Sequence, residues 1–276
     1  MSIINHHRWV KIVCGSYFLV FRFQKCLYGY TTSPSKNDKK FITSPSFNVK
    51  VTHCIFDMDG LMFDTETIYE QVYKKIANQY GKQFTEELKV KIMGRPELDG
   101  ANVYVKELGI PLSGEQFLKV FKPMARSHFQ NPRIMPGVEK LVRHLAKHSI
   151  PLGVATSSHK DDEAIKTQNH RDFYRLFHHT VCGSSDHEVK HGKPAPDIYL
   201  ICAARFPDKP KPENVLVFED APNGVAGAIA AGMSCVMVPD PTIFKHLPKL
   251  LTAQPTLILS SMTKFKPELF NLPKFD

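Results

Sequence analysis

The segment Ile55–Thr65 has the sequence IFDMDGLMFDT, and an apolar run, Val51–Phe56, leads into its first aspartate. An apolar run that ends in acidic residues is typical of a buried parallel strand, and open α/β sheets bind ligands at the carboxyl ends of such strands. Side chains alternate between the two faces of a strand, so Asp57 and Asp59 are predicted to point the same way and to share one cation. Gly60 permits a sharp turn after them, because glycine tolerates backbone conformations that other residues avoid.

The composition is that of an ordinary globular protein. The chain has 276 residues, 42% of them hydrophobic, which is enough to bury a substantial core. Its net charge of +9 is concentrated in residues 1–50, where eight basic residues and one acidic residue give +7, while 28 basic and 26 acidic residues give the remainder only +2. No nucleic-acid partner is therefore expected. The six cysteines form no CxxC pair, which favours buried free thiols in a reducing compartment.

Residues 1–49 form a basic leader and linker with a single acidic residue. Their apolar stretch, Ile12–Phe21, is too short to span a bilayer, so no stable membrane insertion is expected. A disordered extension, a mitochondrial presequence and a remnant of a signal anchor all fit this composition. We expect a cytoplasmic monomer, or a mitochondrial protein if the leader is a presequence.

The pattern of apolar residues changes twice along the rest of the chain. Four helical segments without strand-like alternation are predicted between Thr65 and Phe129, and from Pro136 onward strands and helices alternate. Such alternation indicates right-handed βαβ units and a parallel sheet covered on both faces. We therefore predict an α/β fold, in which a Rossmann-like doubly wound parallel sheet (residues 50–66 and 135–276) carries an inserted all-helical domain (residues 67–134).

Four motifs connect this chain to a known family. The segments DMDGLMFDTE, KHSIPLGVATSS, HGKPAPDIYL and VLVFEDAPNGV occur in this order. Together they resemble the haloacid-dehalogenase-like (HAD) phosphohydrolase superfamily, and from about Lys50 onward the sequence is similar to the eukaryotic pseudouridine-5′-phosphatases. The resemblance implies hydrolysis of a small phosphorylated metabolite, with pseudouridine 5′-phosphate as the expected substrate. It also identifies the helical insertion with the cap that closes over the site in this superfamily.

The resemblance assigns roles to five polar residues. Asp57 is the expected nucleophile, which forms an aspartyl-phosphate, and Asp59 is expected to protonate the leaving alkoxide and later to deprotonate the attacking water. Thr156 and Ser157 follow the next core strand and are expected to bind phosphate oxygens through a hydroxyl and backbone amides. Lys193 is expected to neutralise both Asp57 and the phosphoryl group.

A second pair of acidic residues, Glu219 and Asp220, ends the apolar run VLVF. With Asp57 and the backbone carbonyl of Asp59, they complete an oxygen-only site of the kind that Mg²⁺ prefers. Asp220 is the expected direct ligand, while Glu219 is expected to act through water or from outside the ligand shell. The sequence therefore predicts a Mg²⁺ site that involves Asp57, Asp59, Glu219 and Asp220.

Selection of the substrate is expected from the insertion. Arg95 and Asp99 lie in the segment GRPELDG and are candidates for binding the non-phosphate part of the substrate. The main alternative activity is that of a β-phosphoglucomutase-like phosphotransferase or of a sugar or glycerol phosphate phosphatase. Those mutases carry a histidine twelve residues after the nucleophile, where this chain has Tyr69, so a hydrolase is preferred. A non-catalytic scaffold is a second alternative, but it predicts the loss of a catalytic position, and none is lost.

Overall fold

A computed structural model describes residues 10–14, 17–21, 49–92 and 97–276, with only the backbone described for the first two segments. The described residues form one sheet of eight strands in the order β2-β1-β8-β7-β6-β3-β4-β5. The strands are β1 (Val10–Cys14), β2 (Tyr17–Phe21), β3 (His53–Phe56), β4 (Leu152–Thr156), β5 (His179–Cys182), β6 (Val215–Glu219), β7 (Ser234–Met237) and β8 (Leu257–Leu259).

Six of these strands, β5-β4-β3-β6-β7-β8, are parallel and confirm the predicted doubly wound sheet. Numbered by their own order in the chain, they follow the arrangement 3-2-1-4-5-6, whose direction of winding reverses beside its first strand. That strand is β3, which pairs with β4 on one side and with β6 on the other. A ligand-binding crevice is therefore expected at the carboxyl ends of β3, β4 and β6.

Helices cover both faces of this sheet. The described α-helices are α1 (Thr65–Gln79), α2 (Glu86–Ile92), α3 (Glu97–Leu108), α4 (Gly114–Arg126), α5 (Val138–Lys147), α6 (Lys160–Thr167), α7 (Arg171–Tyr174), α8 (Asp197–Ala204), α9 (Pro222–Ala230) and α10 (Leu247–Leu250). Residues of α5, α7 and the C-terminal segment share one apolar cluster with Cys54 and Phe56 of β3. Residues of α8, α9 and α10 share the opposite cluster with Ile55, so β3 is buried on both faces as its apolar sequence predicts.

The helical insertion, α1 to α4, has an apolar core of its own. Tyr73 lies at its centre, with its ring centroid 5.0 Å from that of Tyr104 and 4.5 Å from that of Phe121. Asp64 caps α1, because its carboxylate accepts hydrogen bonds from the backbone N–H and the hydroxyl of Thr67. The four helices therefore form a compact unit that leaves the core sheet immediately after the acidic motif.

Ion pairs join the helical insertion to the core domain. The ammonium of Lys89 in α2 lies 3.1 Å from a carboxylate oxygen of Asp240, which follows β7, and its side chain is only 8% exposed. Arg126 at the end of α4 pairs with Asp162 of α6 at 3.1 Å. These contacts on two sides hold the insertion against the carboxyl ends of the strands.

The leader contains two strands that the sequence analysis did not predict. β1 pairs with β2 in antiparallel fashion and with β8 in parallel fashion, so the two strands extend the sheet beyond β8. Their sequences, VKIVC and YFLVF, are rich in β-branched and aromatic residues, which favour strands. Short apolar runs of this kind do not by themselves distinguish a strand from a targeting segment, and the rest of the leader lies outside the described residues.

Removal of residues 1–48 is expected to leave phosphate-releasing activity close to that of the full chain. β1 is four strands away from β3 in the sheet, about 19 Å at a spacing of about 4.8 Å, so it does not contact the acidic motif. Steady-state kinetics of the truncated chain would check this. Light scattering should meanwhile show more self-association, because truncation uncovers the edge of β8. A truncated protein that folds but has lost turnover would show instead that the leader supports the site.

Candidate active site

Asp57 is the first residue after β3 and lies at the centre of the sheet's carboxyl edge. Its backbone N–H donates to the carbonyl of Phe218 at 3.0 Å, which continues the pairing between β3 and β6 by one residue. The side chain is buried, and its Oδ1 accepts a hydrogen bond from Nζ of Lys193 at 2.5 Å. Burial, the largest effect, raises the pKa of Asp57, and Glu219 and Asp59 add to this increase while Lys193 opposes it.

Lys193 bridges two of the predicted acidic residues. Besides Asp57, its ammonium donates to Oε1 of Glu219 at 2.6 Å and to the carbonyl of Ala155 at 3.1 Å. Burial by itself would lower the pKa of Lys193, but the two carboxylates outweigh burial and raise it well above its usual value. The loop that carries Lys193 is held by Asp197, which accepts the backbone N–H groups of residues 190 and 191. The lysine therefore stays charged and fixed.

Glu219 has its hydrogen-bonding capacity fully used by the protein. Its Oε1 accepts from Lys193 and, at 2.6 Å, from the hydroxyl of Tyr199, while Oε2 accepts the backbone N–H groups of Asp220 and Ala221. A carboxylate has about four acceptor sites, and four donors occupy them here. Glycine is required at position 224 because a Cβ there would lie 1.9 Å from Oε1 of Glu219.

The carboxylate of Asp220 differs from that of Glu219 in its hydrogen bonding. Within residues 49–92 and 97–276, no hydrogen bond from a protein donor to this carboxylate is recorded. It crowds Gly60, where a Cβ would lie 2.2 Å from Oδ2 of Asp220, and Gly60 also has a φ of +81°. Two physical constraints therefore require glycine after the acidic motif. Burial, followed by the charges of Glu219 and Asp57, raises the pKa of Asp220 well above its usual value.

Three carboxylates, those of Asp57, Glu219 and Asp220, each offer an oxygen within 4.8 Å of the others. With Lys193 beside them, this buried cluster has a formal charge of −2 when all groups are ionised. Burial, and after it the repulsion between these carboxylates, raises the pKa values of Asp57 and Asp220. A divalent cation would offset it, and an oxygen-only donor set suits Mg²⁺ or Ca²⁺ better than softer metals. The residues present therefore fit a divalent cation.

The carboxylate of Asp59 is not part of this cluster, which corrects the prediction that Asp57 and Asp59 share a cation through their side chains. Its Oδ1 lies 2.6 Å from Nζ of Lys166, and its Oδ2 accepts from Oγ of Ser158 at 2.7 Å. Burial by itself would raise the pKa of Asp59, but the charge of Lys166 and the hydrogen bonds outweigh it and lower the pKa. Asp57 pairs with Lys193 from the loop before α8, whereas Asp59 pairs with Ser158 after β4 and with Lys166 of α6.

The turn after β4 brings the predicted phosphate-binding residues to the same edge. Thr156 is fully buried, and its hydroxyl accepts the backbone N–H of Ser158 at 3.0 Å and lies 3.4 Å from Oδ2 of Asp59. Ser157 is exposed, and its carbonyl accepts a hydrogen bond from Ser184. The exposed group at this turn is therefore Ser157, while the hydroxyl of Thr156 is engaged within the protein.

Two predicted contacts in the insertion are not placed in the site. Arg95 lies outside the described residues, and Asp99 is exposed in the first turn of α3. Tyr69 packs with its ring centroid 5.9 Å from that of Phe121 and 5.7 Å from that of Phe129. Burial, followed by the charge of Asp59, raises the pKa of Tyr69 well above its usual value, so its phenol stays protonated and does not replace a basic histidine.

Three residues of the site were missed by the sequence analysis: Lys166, Ser158 and Tyr199. Lys166 lies in the polar helix KDDEAIKT, where a lysine is expected to be exposed, yet its side chain is completely buried. Ser158 is adjacent to the predicted Ser157, and only the turn geometry decides which hydroxyl points inward. Tyr199 has the pattern of an ordinary apolar helix residue, so no local signal marked its hydroxyl for Glu219.

Comparison with known proteins agrees with this geometry. Residues 54–238 match the family described as haloacid dehalogenase-like hydrolase. The chain belongs to the haloacid dehalogenase-like hydrolases. This confirms the predicted superfamily and the predicted enzyme class, a hydrolase of phosphoric monoesters, because curated relatives within the family are phosphatases.

Two curated relatives and one solved structure are informative. The chain is 46% identical, over 82% of its length and 96% of the relative's, to a probable pseudouridine-5′-phosphatase of Drosophila melanogaster. It is 45% identical, over 82% of its length and 75% of the relative's, to the mitochondrial (DL)-glycerol-3-phosphatase 1 of Arabidopsis thaliana. The crystal structure of a putative β-phosphoglucomutase from Thermotoga maritima superimposes with a TM-score of 0.56 at 30% identity, covering 80% of this chain and 97% of that one.

Proposed function

We propose that this protein is a Mg²⁺-dependent phosphatase that hydrolyses a small phosphate monoester through an aspartyl-phosphate on Asp57, with pseudouridine 5′-phosphate as its substrate. The observation that carries the proposal is the buried cluster of Asp57, Glu219 and Asp220 around Lys193 at the reversal point of the sheet. Similarity to the Drosophila pseudouridine-5′-phosphatase supports the choice of substrate.

The proposed reaction has two steps. A carboxylate oxygen of Asp57 attacks phosphorus, the bond from phosphorus to the ester oxygen breaks, and Asp59 donates a proton to the leaving alkoxide. Water then attacks the aspartyl-phosphate while Asp59 takes a proton from it, which releases phosphate and regenerates Asp57. Lys193, the backbone amides after Thr156, and Ser157 are the groups proposed to bind the phosphoryl oxygens.

The metal in this proposal is held by protein oxygens at the carboxyl edge. Asp57 and Asp220 would bind it through their side chains and Asp59 through its backbone carbonyl, while Glu219, saturated by four donors, would act from outside the ligand shell. When bound, Mg²⁺ supplies positive charge that offsets the phosphoryl group and the cluster. Lys193 supplies the remaining positive charge, so Asp57 can attack a dianionic ester.

Replacement of Asp220 by alanine should weaken Mg²⁺ binding by more than about 10- to 100-fold, because loss of even an outer partner of a ligand costs that much. Thermal denaturation against Mg²⁺ concentration measures this without any assay of activity. The wild type should be stabilised by Mg²⁺, and Asp220→Ala should require a far higher concentration. Asp186→Ala is the matched control, because Asp186 also lies near the carboxyl edge but pairs with Arg205. An identical Mg²⁺ titration in Asp220→Ala would assign the ligand role elsewhere.

A glycerol phosphate phosphatase is the second candidate, favoured by the 45% identity to the Arabidopsis enzyme. Phosphate release from pseudouridine 5′-phosphate, uridine 5′-phosphate, glycerol 3-phosphate and β-glucose 1-phosphate, with and without Mg²⁺, separates the candidates. Preference for pseudouridine 5′-phosphate over its uridine counterpart is the expected result. Isomerisation of glucose 1-phosphate without phosphate release would indicate a mutase, and inactivity on every ester would favour a non-catalytic scaffold.

The proposal also covers the oligomeric state, the partners and the location of the enzyme. We expect a monomer that acts on a free metabolite, with no nucleic-acid partner, in the cytoplasm or, if the leader is a presequence, in mitochondria. In the described part of the chain, no helix is long and apolar enough to cross a membrane. The helical insertion is proposed to act as a cap that selects the substrate, since in this proposal the core groups would bind only phosphate, metal and ester oxygen.

A further inference from the structure

The carboxylate of Asp59 is held by donors from the turn after β4 and from α6. Lys166 donates to Oδ1 at 2.6 Å, Ser158 donates to Oδ2 at 2.7 Å, and the hydroxyl of Thr156 lies 3.4 Å from Oδ2. These donors fix the orientation of the Asp59 carboxylate. The Asp59 side chain is 20% exposed, and that exposed part is where a leaving oxygen can reach it.

Lys166 is buried, although a lysine side chain is normally solvated. Its side chain is 0% exposed, and its ammonium, besides Asp59, contacts Oγ of Ser158 at 2.9 Å. The ammonium also lies 4.3 Å from the centroid of the Phe129 ring, which comes from the end of the helical insertion. Burying an ammonium costs several kcal/mol unless it is well paired, so a lysine at such a position is expected to have a specific task.

We propose that Lys166 is a positioning residue that fixes the carboxylate of Asp59 for proton transfer to and from the substrate. This inference rests on the phosphatase function proposed above. In this proposal Asp59 is the group that gives a proton to the leaving alkoxide and takes one from water. Because Lys166 is completely buried behind Asp59, it acts through the carboxylate and not on the phosphoryl group.

The leaving group provides the decisive test. An alkyl alkoxide is a strong base and needs a proton as the ester bond breaks, whereas p-nitrophenolate is stable without one. Removal of Lys166 should therefore impair hydrolysis of alkyl phosphates more than hydrolysis of p-nitrophenyl phosphate. General acid catalysis contributes about 10²- to 10⁴-fold, so a misplaced acid should cost roughly 10- to 100-fold on the alkyl ester.

The experiment compares kcat/KM for glycerol 3-phosphate, pseudouridine 5′-phosphate and p-nitrophenyl phosphate in the full chain with Mg²⁺. Lys166→Met should lower kcat/KM on the two alkyl esters by roughly 10- to 100-fold and leave the aryl ester nearly unchanged. Lys166→Arg keeps the charge and should recover part of the lost activity. Lys160→Met, at the exposed start of the same helix, is the matched control and should behave as the wild type.

Each outcome decides the inference. Equal losses on alkyl and aryl esters in a folded Lys166→Met protein, or no loss on either, would overturn it. If Lys166→Met does not fold, Ser158→Ala removes the donor to Oδ2 and should shift the same alkyl-to-aryl ratio, and an unchanged ratio there would overturn the inference. A wild type that hydrolyses none of the esters would refute the proposed function, which is a separate result.

Discussion

Asp57→Asn is expected to lower kcat by roughly 10⁴-fold or more, the scale of loss seen when a covalent nucleophile is removed. The amide is nearly isosteric with the carboxylate but does not attack phosphorus. The fold should persist, because the substitution removes one negative charge from a cluster in which three carboxylates face one lysine. Steady-state kinetics together with the midpoint of thermal unfolding measure both expectations.

The control for this variant is Asp208→Asn. Asp208 is exposed and pairs with His53 at the opposite end of β3, so its substitution changes the same strand without touching the carboxyl edge. Activity close to that of the wild type is expected. If purified Asp57→Asn kept a tenth of the wild-type kcat, Asp57 would not be the nucleophile.

Lys193→Met is expected to have the second largest effect, a loss of about 10²- to 10³-fold in kcat, comparable to removal of one charged stabiliser of a transition state. It should also lower the free energy of unfolding by about 3 to 5 kcal/mol, because it removes the partner of two buried carboxylates. Thermal unfolding with and without Mg²⁺ provides a second test of the role of Lys193. The variant should be stabilised by Mg²⁺ more than the wild type, since its cluster carries one more uncompensated negative charge.

Lys190→Met is the matched control for that experiment. Lys190 belongs to the same loop but is exposed, and its ammonium donates to the carbonyl of His187. Its loss should change neither kcat nor the response to Mg²⁺. A Lys193→Met protein with wild-type kcat would show that the phosphoryl charge is neutralised by other groups.

The fold was predictable because its signals are local. Each core strand is a short apolar run between polar turns, as the run VLVF is in β6. The four helices of the insertion lie between Thr65 and Phe129, where four helical segments were predicted. The strands of the leader were not predicted, because their pairing with β8 depends on an edge more than two hundred residues away in the chain.

In the candidate site, too, some positions could be predicted from local sequence and others could not. Asp57, Glu219 and Asp220 follow apolar runs directly, and parallel strands end at one edge, so their proximity could be predicted from the sequence. The separation of the Asp59 carboxylate from this cluster could not be predicted. Nothing in the sequence around Asp59 indicates that Ser158 and Lys166, about a hundred residues later, supply its donors.

The sequence by itself therefore determined where the core strands lie along the chain, the helical insertion and the acidic residues at the carboxyl edge, since these depend on short-range patterns of apolar and polar residues. Only the tertiary structure decided which carboxylate pairs with which lysine. Lys166 is buried because α6, the turn after β4 and the end of the insertion enclose it together. The burial of Lys166 results from that packing, and no periodicity within α6 encodes it.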